Sequence, residues 1–392
     1  MKLEFDQRRI ESSEDFEEHQ FGIKDVAVVL SILRSKLYPN PIKSFTQEIM
    51  SNARDAHREV NKPNVPIEVK LPSALDPQFH VRDFGPSINP ERMLDVFINY
   101  GSSTKRVDNV QTGGFGIGAK SPWSYTDSFC IVTNTPENGK MISRSYTAYI
   151  DESNIGKLAK MEEIETDEPQ GTMIVVSAKK GDHAVFAEWV KKATEFWVIR
   201  PKIIGVPEFE WNDFEKRFQG QGWFITDESG SSTYNRNLSI KAIIDGIPYP
   251  INWDNLNMNT LGDVTCAQMT KLFCLPLYVN FETGEIPLSA NRDDIDYTPK
   301  AVEIIKKKLV LILDEIVKQL SQEIKEAKNL WEANILWQKV RNRFGDLIDK
   351  VQWKGIEVSG SSPSLRNCGI KVMYYNRNYN DKSSFRQSQG DS

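Results

Sequence analysis

Apolar positions along the chain follow two periods. A 3.6-residue period runs through Asp25–Leu37, Thr46–Val60, Arg92–Asn99, His183–Val198, Ala301–Lys328 and Trp331–Lys350, and predicts a helix at each. Alternating or continuous short apolar runs at Ile67–Leu71, Phe79–Arg82, Phe129–Thr133, Met141–Ile150 and Thr172–Ala178 predict strands. The run Tyr38-Pro39-Asn40-Pro41 reads as a breaker ahead of the second helix, and Asn61–Pro66 and Pro72–Pro77 read as turns. A polar, glycine-rich segment spans Gly101–Gly118. Ser121-Pro122 then offers an N-cap with proline at the first helical position. Composition shifts at Arg200-Pro201, and residues 201–300 alternate short strands with turns. Pro299 leads into the long helical tract, and no internal repeat is present.

At 392 residues, two or three domains are expected, and an apolar fraction of 39% can fill a sizeable core. A net charge of −5, with no long basic arm, gives no phosphate footprint and so does not indicate a nucleic-acid binder. Cys130, Cys266, Cys274 and Cys368 form no CxxC, and His19, His57, His80 and His183 do not cluster, which excludes a zinc-site pattern. Cys130, Cys266 and Cys274 sit beside apolar residues and read as buried thiols in a reducing compartment. The first twenty residues are charged, without an apolar signal core. No apolar run reaches membrane-spanning length, so the expected location is the cytoplasm.

Four short patterns carry candidate chemistry. On the helix Thr46–Val60, the side chains of Glu48, Asn52 and Asp55 fall within about 60° of one another. A carboxamide oxygen can ligate a hydrated divalent cation, and a carboxylate one turn away can orient and deprotonate water. Such spacing is also common on solvated helices. Asp83 ends a predicted strand, followed by Phe84-Gly85-Pro86-Ser87. It can accept a hydrogen bond from the exocyclic amine of a base, with Gly85 allowing close approach of the backbone. The DFG triplet here lacks the preceding glycine-rich loop and the catalytic loop of a protein kinase. Gly113-Gly114-Phe115-Gly116-Ile117-Gly118-Ala119-Lys120-Ser121 exposes backbone N–H groups suited to a polyphosphate. It is one residue short of a P-loop, with Ala119 where glycine should stand, and a flexible surface loop is its other reading. Gly171-Thr172 opens a buried strand, where Thr172 can support a base through its hydroxyl or a water.

The order Glu48xxxAsn52xxAsp55-Ala56, Asp83-x-Gly85, Gly114-Phe115-Gly116-Ile117-Gly118…Ser121 and Gly171-Thr172 resembles the GHKL ATPase family. That family includes type II topoisomerase ATPase subunits, MutL, ninety-kilodalton heat-shock chaperones and histidine kinases. The resemblance implies a GHKL-type α/β sandwich (Bergerat fold) at 1–198 that binds ATP and Mg²⁺. It further implies an α+β transducer-like domain at 199–300; the helical periodicity predicts C-terminal helices within 301–372, and the polar composition of 373–392 predicts a disordered tail. By the same resemblance Glu48 is the general base, Asn52 the Mg²⁺ ligand and Asp55 a support for the base-binding side. Asp83 takes the adenine amino group, and Gly85 and Thr172 line the pocket. Gly114, Phe115, Gly116, Ile117 and Gly118 cradle the phosphates in a mobile lid, with Lys120 and Ser121 as further contacts. Ser87 departs from the family, which has a second glycine there. Pro287-Leu288-Ser289-Ala290-Asn291-Arg292-Asp293 resembles the loop by which the chaperone branch brings an arginine to the γ-phosphate, which makes Arg292 a second catalytic candidate. Within the family the phrases SNARDAH, HVRDFGPSI, YGSSTKR and GGFGIGAKSPWSYTDSF are similar to phage rapid-lysis A (rIIA-like) proteins over residues 20–300. The implied activity is slow ATP hydrolysis coupled to a conformational switch, with a homodimer and a protein partner as implied assemblies, in the host cytoplasm for a phage protein. A nucleotide-gated scaffold that does not hydrolyse ATP, a histidine kinase and a DNA-handling ATPase are the rival readings.

Overall fold

The computed structural model describes residues 39–98, 118–206, 208–213, 215–226, 240–256, 266–289, 292–348, 351–358, 374–375 and 385–386. The expected helix Asp25–Leu37, the glycines of 113–117 and the Ala290-Asn291 step lie outside them, as does most of the expected tail.

The chain forms two compact units. One comprises the residues up to Arg217 together with Lys241–Ile251 and Tyr278–Ala301. The other comprises Phe218–Ile240, Asn252–Leu277 and the residues from Val302 onward.

The first unit is an α/β sandwich. Strands β1 (Glu68–Lys70), β2 (Gln78–Arg82), β3 (Ser128–Glu137), β4 (Lys140–Ile150), β5 (Gly156–Glu165), β6 (Gly171–Ser177) and β7 (Lys202–Ile204) form one sheet in the order β5-β4-β3-β6-β2-β1-β7. Every neighbouring pair is antiparallel except β1 with β7. Helix α1 spans Pro41–Glu59, α2 spans Pro90–Ile98 and α3 spans His183–Thr194. Phe45 of α1, Phe79 of β2 and Phe186 of α3 are all fully buried and meet in one aromatic cluster with Tyr125. The Phe79–Phe186 centroids lie 4.9 Å apart and the Phe45–Tyr125 centroids 5.4 Å. Burying rings of this size contributes about 1.5–3 kcal/mol each. The cluster fixes α1 and α3 against the sheet. In the same unit β10 (Lys241–Ile244) pairs with β11 (Ile247–Pro250) antiparallel and with β12 (Leu277–Phe281) parallel.

The second unit holds most of β8 (Lys216–Gly220), β9 (Trp223–Thr226), α4 (Cys266–Phe273), most of α5 (Pro299–Lys325), α6 (Leu330–Phe344) and the hairpin of β13 (Val351–Trp353) with β14 (Ile356–Val358). Trp223 donates to Glu315 Oε2 at 2.8 Å and Trp353 donates to the Ala327 carbonyl at 2.9 Å, so both indoles tie their strands to α5 or its end.

Several expectations need correction. Helix α1 begins at Pro41 and not at Thr46. The supposed breaker is its cap: the Asn40 side chain accepts from Lys43 N at 3.2 Å, and Pro41 sits where no N–H is needed. Ser121-Pro122 does not open a helix but lies inside a 3₁₀ segment, Gly118–Ser124. Strand β5 was not legible, because its residues are mostly exposed and charged. Helix α6 stops at Phe344, with Gly345 at φ +60 as its cap, and the predicted continuation gives way to a 3₁₀ turn, Gly345–Leu347. Cys130 and Cys274 are exposed. Cys130 lies between buried Phe129 and Ile131 on β3, so a two-residue period turns it to the uncovered face.

Candidate functional site

Helix α1 presents Glu48, Asn52 and Asp55 as the sequence predicts. Glu48 and Asp55 are buried and Asn52 is half-buried. Gly118 lies directly over the first two. A Cβ at Gly118 would stand 2.4 Å from Glu48 Oε2 and 3.4 Å from Asn52 Nδ2. A side chain at this position would therefore have to push the Glu48 carboxylate aside. Two residues on, Lys120 is buried, and burial lowers its ammonium to about 8. Ser121 is fully buried, and its Oγ has no hydrogen-bond partner among the described residues.

Arg292 joins this end from a loop distant in sequence. Its guanidinium donates to Glu48 Oε2 at 3.2 Å, and both side chains are buried. The loop is fastened to α1 at three points. Gln47 Nε2 donates to the Arg292 carbonyl at 3.2 Å, Ser44 Oγ lies 3.0 Å from the Asp293 carboxylate, and Lys43 donates to the Asp293 carbonyl at 3.2 Å. Arg292 itself is held at φ +53, a region that side chains other than glycine rarely occupy.

The other end is built around Asp83. Its carboxylate is buried, and Oδ1 accepts from Gly85 N at 2.9 Å and Thr172 N at 3.2 Å. The Asp83 backbone N–H donates to the Thr172 carbonyl at 2.9 Å. Burial outweighs the two N–H donors and pushes the carboxyl up to about 6. Both neighbouring glycines are required by backbone contacts. A Cβ on Gly85 would meet Ala56 Cβ at 2.6 Å and its carbonyl oxygen at 2.8 Å, so this glycine seats the turn on α1. A Cβ on Gly171 would stand 1.9 Å from the Asp83 carbonyl oxygen, and Gly171 has φ +151. Ser87 takes φ +61, so it adopts a left-handed conformation that favours glycine without being glycine. Gln170 supports it by donating to the Pro86 carbonyl at 2.7 Å.

Both ends sit on one helix. Eight residues separate Glu48 from Ala56, a rise of about 12 Å, and Asn52 and Ala56 are one turn apart on the same side. The acid–amide pair and the Asp83 turn are thus placed about two helical turns apart along α1. Asp55 faces a different task from the other carboxylates. Arg58 donates to Asp55 Oδ1 at 3.1 Å and to Asp245 Oδ1 at 2.9 Å, and Arg54 also pairs with Asp245. This network ties α1 to the β10–β11 turn.

The structure therefore brings Glu48, Asn52, Gly118 and Arg292 together, and separately Asp83, Gly85 and Thr172. Gly114, Phe115, Gly116 and Ile117 lie outside the described residues. Sequence reasoning missed Gln47, Asp293, Asp245 and His57. The first three act through pairings across 187 to 249 residues, which one sequence does not reveal. No cluster of three or more His, Cys, Asp or Glu able to hold a metal occurs among the described residues. The described helices include none long and apolar enough to cross a membrane.

No family model and no curated protein matches the chain. Among solved structures it is similar to the ATPase region of Saccharomyces cerevisiae topoisomerase II bound to ICRF-187 (dexrazoxane), at 14% identity and a TM-score of 0.43, over 70% of this chain and 85% of that one. A likeness of that size carries no residue role across.

Proposed function

We propose that the first unit is a GHKL-type module that binds Mg²⁺·ATP along α1 and hydrolyses it slowly. The observation that carries this reading is the paired arrangement on one helix. Gly118 is pressed onto Glu48 and Asn52 at one end, and Asp83 is held by two backbone N–H groups at the other. Asp83 accepts the adenine amino group, with Thr172 and Gly85 shaping its surroundings. The backbone from Gly114 to Gly118 takes the phosphates, with Lys120 and Ser121 beside it. Asn52 suits Mg²⁺, which favours neutral or anionic oxygen ligands and keeps much of its shell as water and phosphate oxygen. When bound, the ion neutralises phosphate charge. Glu48 orients the attacking water and takes its proton. Arg292 is within reach of the same region and supplies positive charge where the transferred phosphoryl group gains negative charge.

Slow turnover fits the Glu48–Arg292 pair, since the guanidinium engages the carboxylate oxygen that would otherwise face the attacking water. The same pair favours the second reading, a nucleotide-gated scaffold that binds ATP without hydrolysing it. In either reading the nucleotide switches conformation or dimerisation, as GHKL-type modules use ATP, in a chain whose sequence resembles the phage rapid-lysis A group. Glu48→Ala with ATP binding and phosphate release measured side by side separates them. The hydrolytic reading expects binding retained and release abolished. Equal release from Glu48→Ala and the parent would remove Glu48 as the base. No release from either, with binding intact, would leave the scaffold.

A further inference from the structure

One buried side chain at the base-binding end has no part in the reaction above. His57, near the C-terminal end of α1, is 1% exposed. Its Nε2 lies 2.6 Å from Phe84 N and its Nδ1 lies 2.9 Å from the Val65 carbonyl oxygen. A backbone N–H can only donate, so Nε2 is the accepting nitrogen. A carbonyl can only accept, so Nδ1 carries the proton. The neutral Nδ1–H tautomer is the single state that makes both bonds. Phe84 stands between Asp83 and Gly85, and its ring packs 5.9 Å from the imidazole.

We infer that His57 is a positioning residue for adenine recognition: it clasps Phe84 N–H to α1 and so sets the Asp83–Gly85 turn in its binding shape. The inference rests on the nucleotide reading for its functional consequence but not for its geometry. Protonated His57 would turn a second N–H toward Phe84 N–H, so the clasp opens in acid. Burial already favours the neutral ring. The charged groups around it pull in both directions. Lys62 donates to the Phe84 carbonyl at 3.4 Å and disfavours a second positive charge. Arg82, stacked 5.3 Å from the Phe84 ring, is paired with Glu168 at 2.9 Å. Glu59 acts on Asp83, and Asp55 is engaged by Arg58. The clasp holds the base end only, so its loss should leave the phosphate end intact.

The test uses the full chain as parent, His57→Gln and His57→Ala. Gln places an amide oxygen near the Nε2 position and does not titrate. Amide exchange at Phe84 is followed from pH 5.5 to 8, corrected for the intrinsic pH dependence of exchange, and ATP and inorganic tripolyphosphate binding are titrated over the same range. The parent should protect the Phe84 amide at pH 7.5 and lose protection in acid. His57→Gln should retain protection without that pH dependence. His57→Ala should lose it throughout and bind ATP about tenfold more weakly, the cost of one orphaned buried donor, with tripolyphosphate unchanged. A Phe84 amide as protected in His57→Ala as in the parent overturns the inference, as does equal weakening of ATP and tripolyphosphate. A parent that binds no ATP refutes the nucleotide reading, and the clasp then stands or falls on the Phe84 exchange alone.

Discussion

Replacing Asp83 by Asn should make the unliganded protein more stable while removing its affinity for ATP. Asn has the same shape, and its Oδ1 can still accept from Gly85 N and Thr172 N. Its Nδ2 then occupies the place of the second carboxylate oxygen and offers a donor to a base amine that is itself a donor. The stability change follows from linkage. The folded-state pKa of Asp83, about 6, lies above the ordinary 3.8. The folded protein therefore binds the proton more tightly, and the stability this confers is fully present below about pH 4 and lost as pH rises through about 6. A shift of roughly two units corresponds to about 3 kcal/mol. Asp83→Asn, which carries no charge at any pH, should match the parent near pH 4 and exceed it by up to about 3 kcal/mol at pH 7.5. Urea unfolding across this range reads the stability, and equilibrium ATP titration at pH 7.5 reads the affinity. Affinity should fall by about a hundredfold or more, as for a site left with an unmatched buried polar group. A variant that binds ATP like the parent would refute the role of Asp83. A variant less stable than the parent at every pH would refute the argument that burial of charge dominates this site.

Four further outcomes follow from close contacts and strained positions. Gly118→Ala should keep ATP affinity within about threefold but cut phosphate release by about tenfold or more, because the new methyl displaces the Glu48 carboxylate. Single-turnover assays beside binding titrations would show it. Gly171→Ala should destabilise by about 3 kcal/mol or more in urea unfolding, since its Cβ would overlap the Asp83 carbonyl oxygen and its φ is unfavourable for alanine. Ser87→Gly should be at least as stable as the parent because it relieves a left-handed φ worth about 1–2 kcal/mol, whereas Ser87→Val should lose stability in the same assay. Asp293→Ala should lower hydrolysis with little change in ATP affinity, since it loosens the loop that presents Arg292 to Glu48; an affinity loss as large as the rate loss would contradict this.

What the sequence disclosed follows the range of the interactions involved. The α1 trio was legible because three positions on one helix share a face whatever the rest of the chain does. The covered strands β2, β3, β4 and β6 were legible from alternation. The start of α1 was misread because Pro-Asn-Pro signals a break as strongly as it signals a cap. Strand β5 carries no apolar alternation, since both its faces are largely exposed, and its place in the sheet comes from pairing with β4. The caging of Asp83 by Thr172 joins residues 89 apart, and the Arg292–Glu48 bond spans 244. Motif order suggested that these residues belong together, but only the fold supplied their contacts. His57 gave no signal at all, because a single histidine on a helix looks the same whether it is a clasp or a surface residue. Gly85 was expected to admit a base, and the contact it makes in the structure is with Ala56 of α1.

The most direct test is a crystal structure with Mg²⁺ and a non-hydrolysable ATP analogue. The account predicts the adenine amino group within hydrogen-bonding distance of the Asp83 carboxylate, the ion on the Asn52 side chain and the γ-phosphate between Gly118 and Arg292. A nucleotide bound away from α1, or one whose base is turned from Asp83 while its phosphates lie elsewhere, would contradict it.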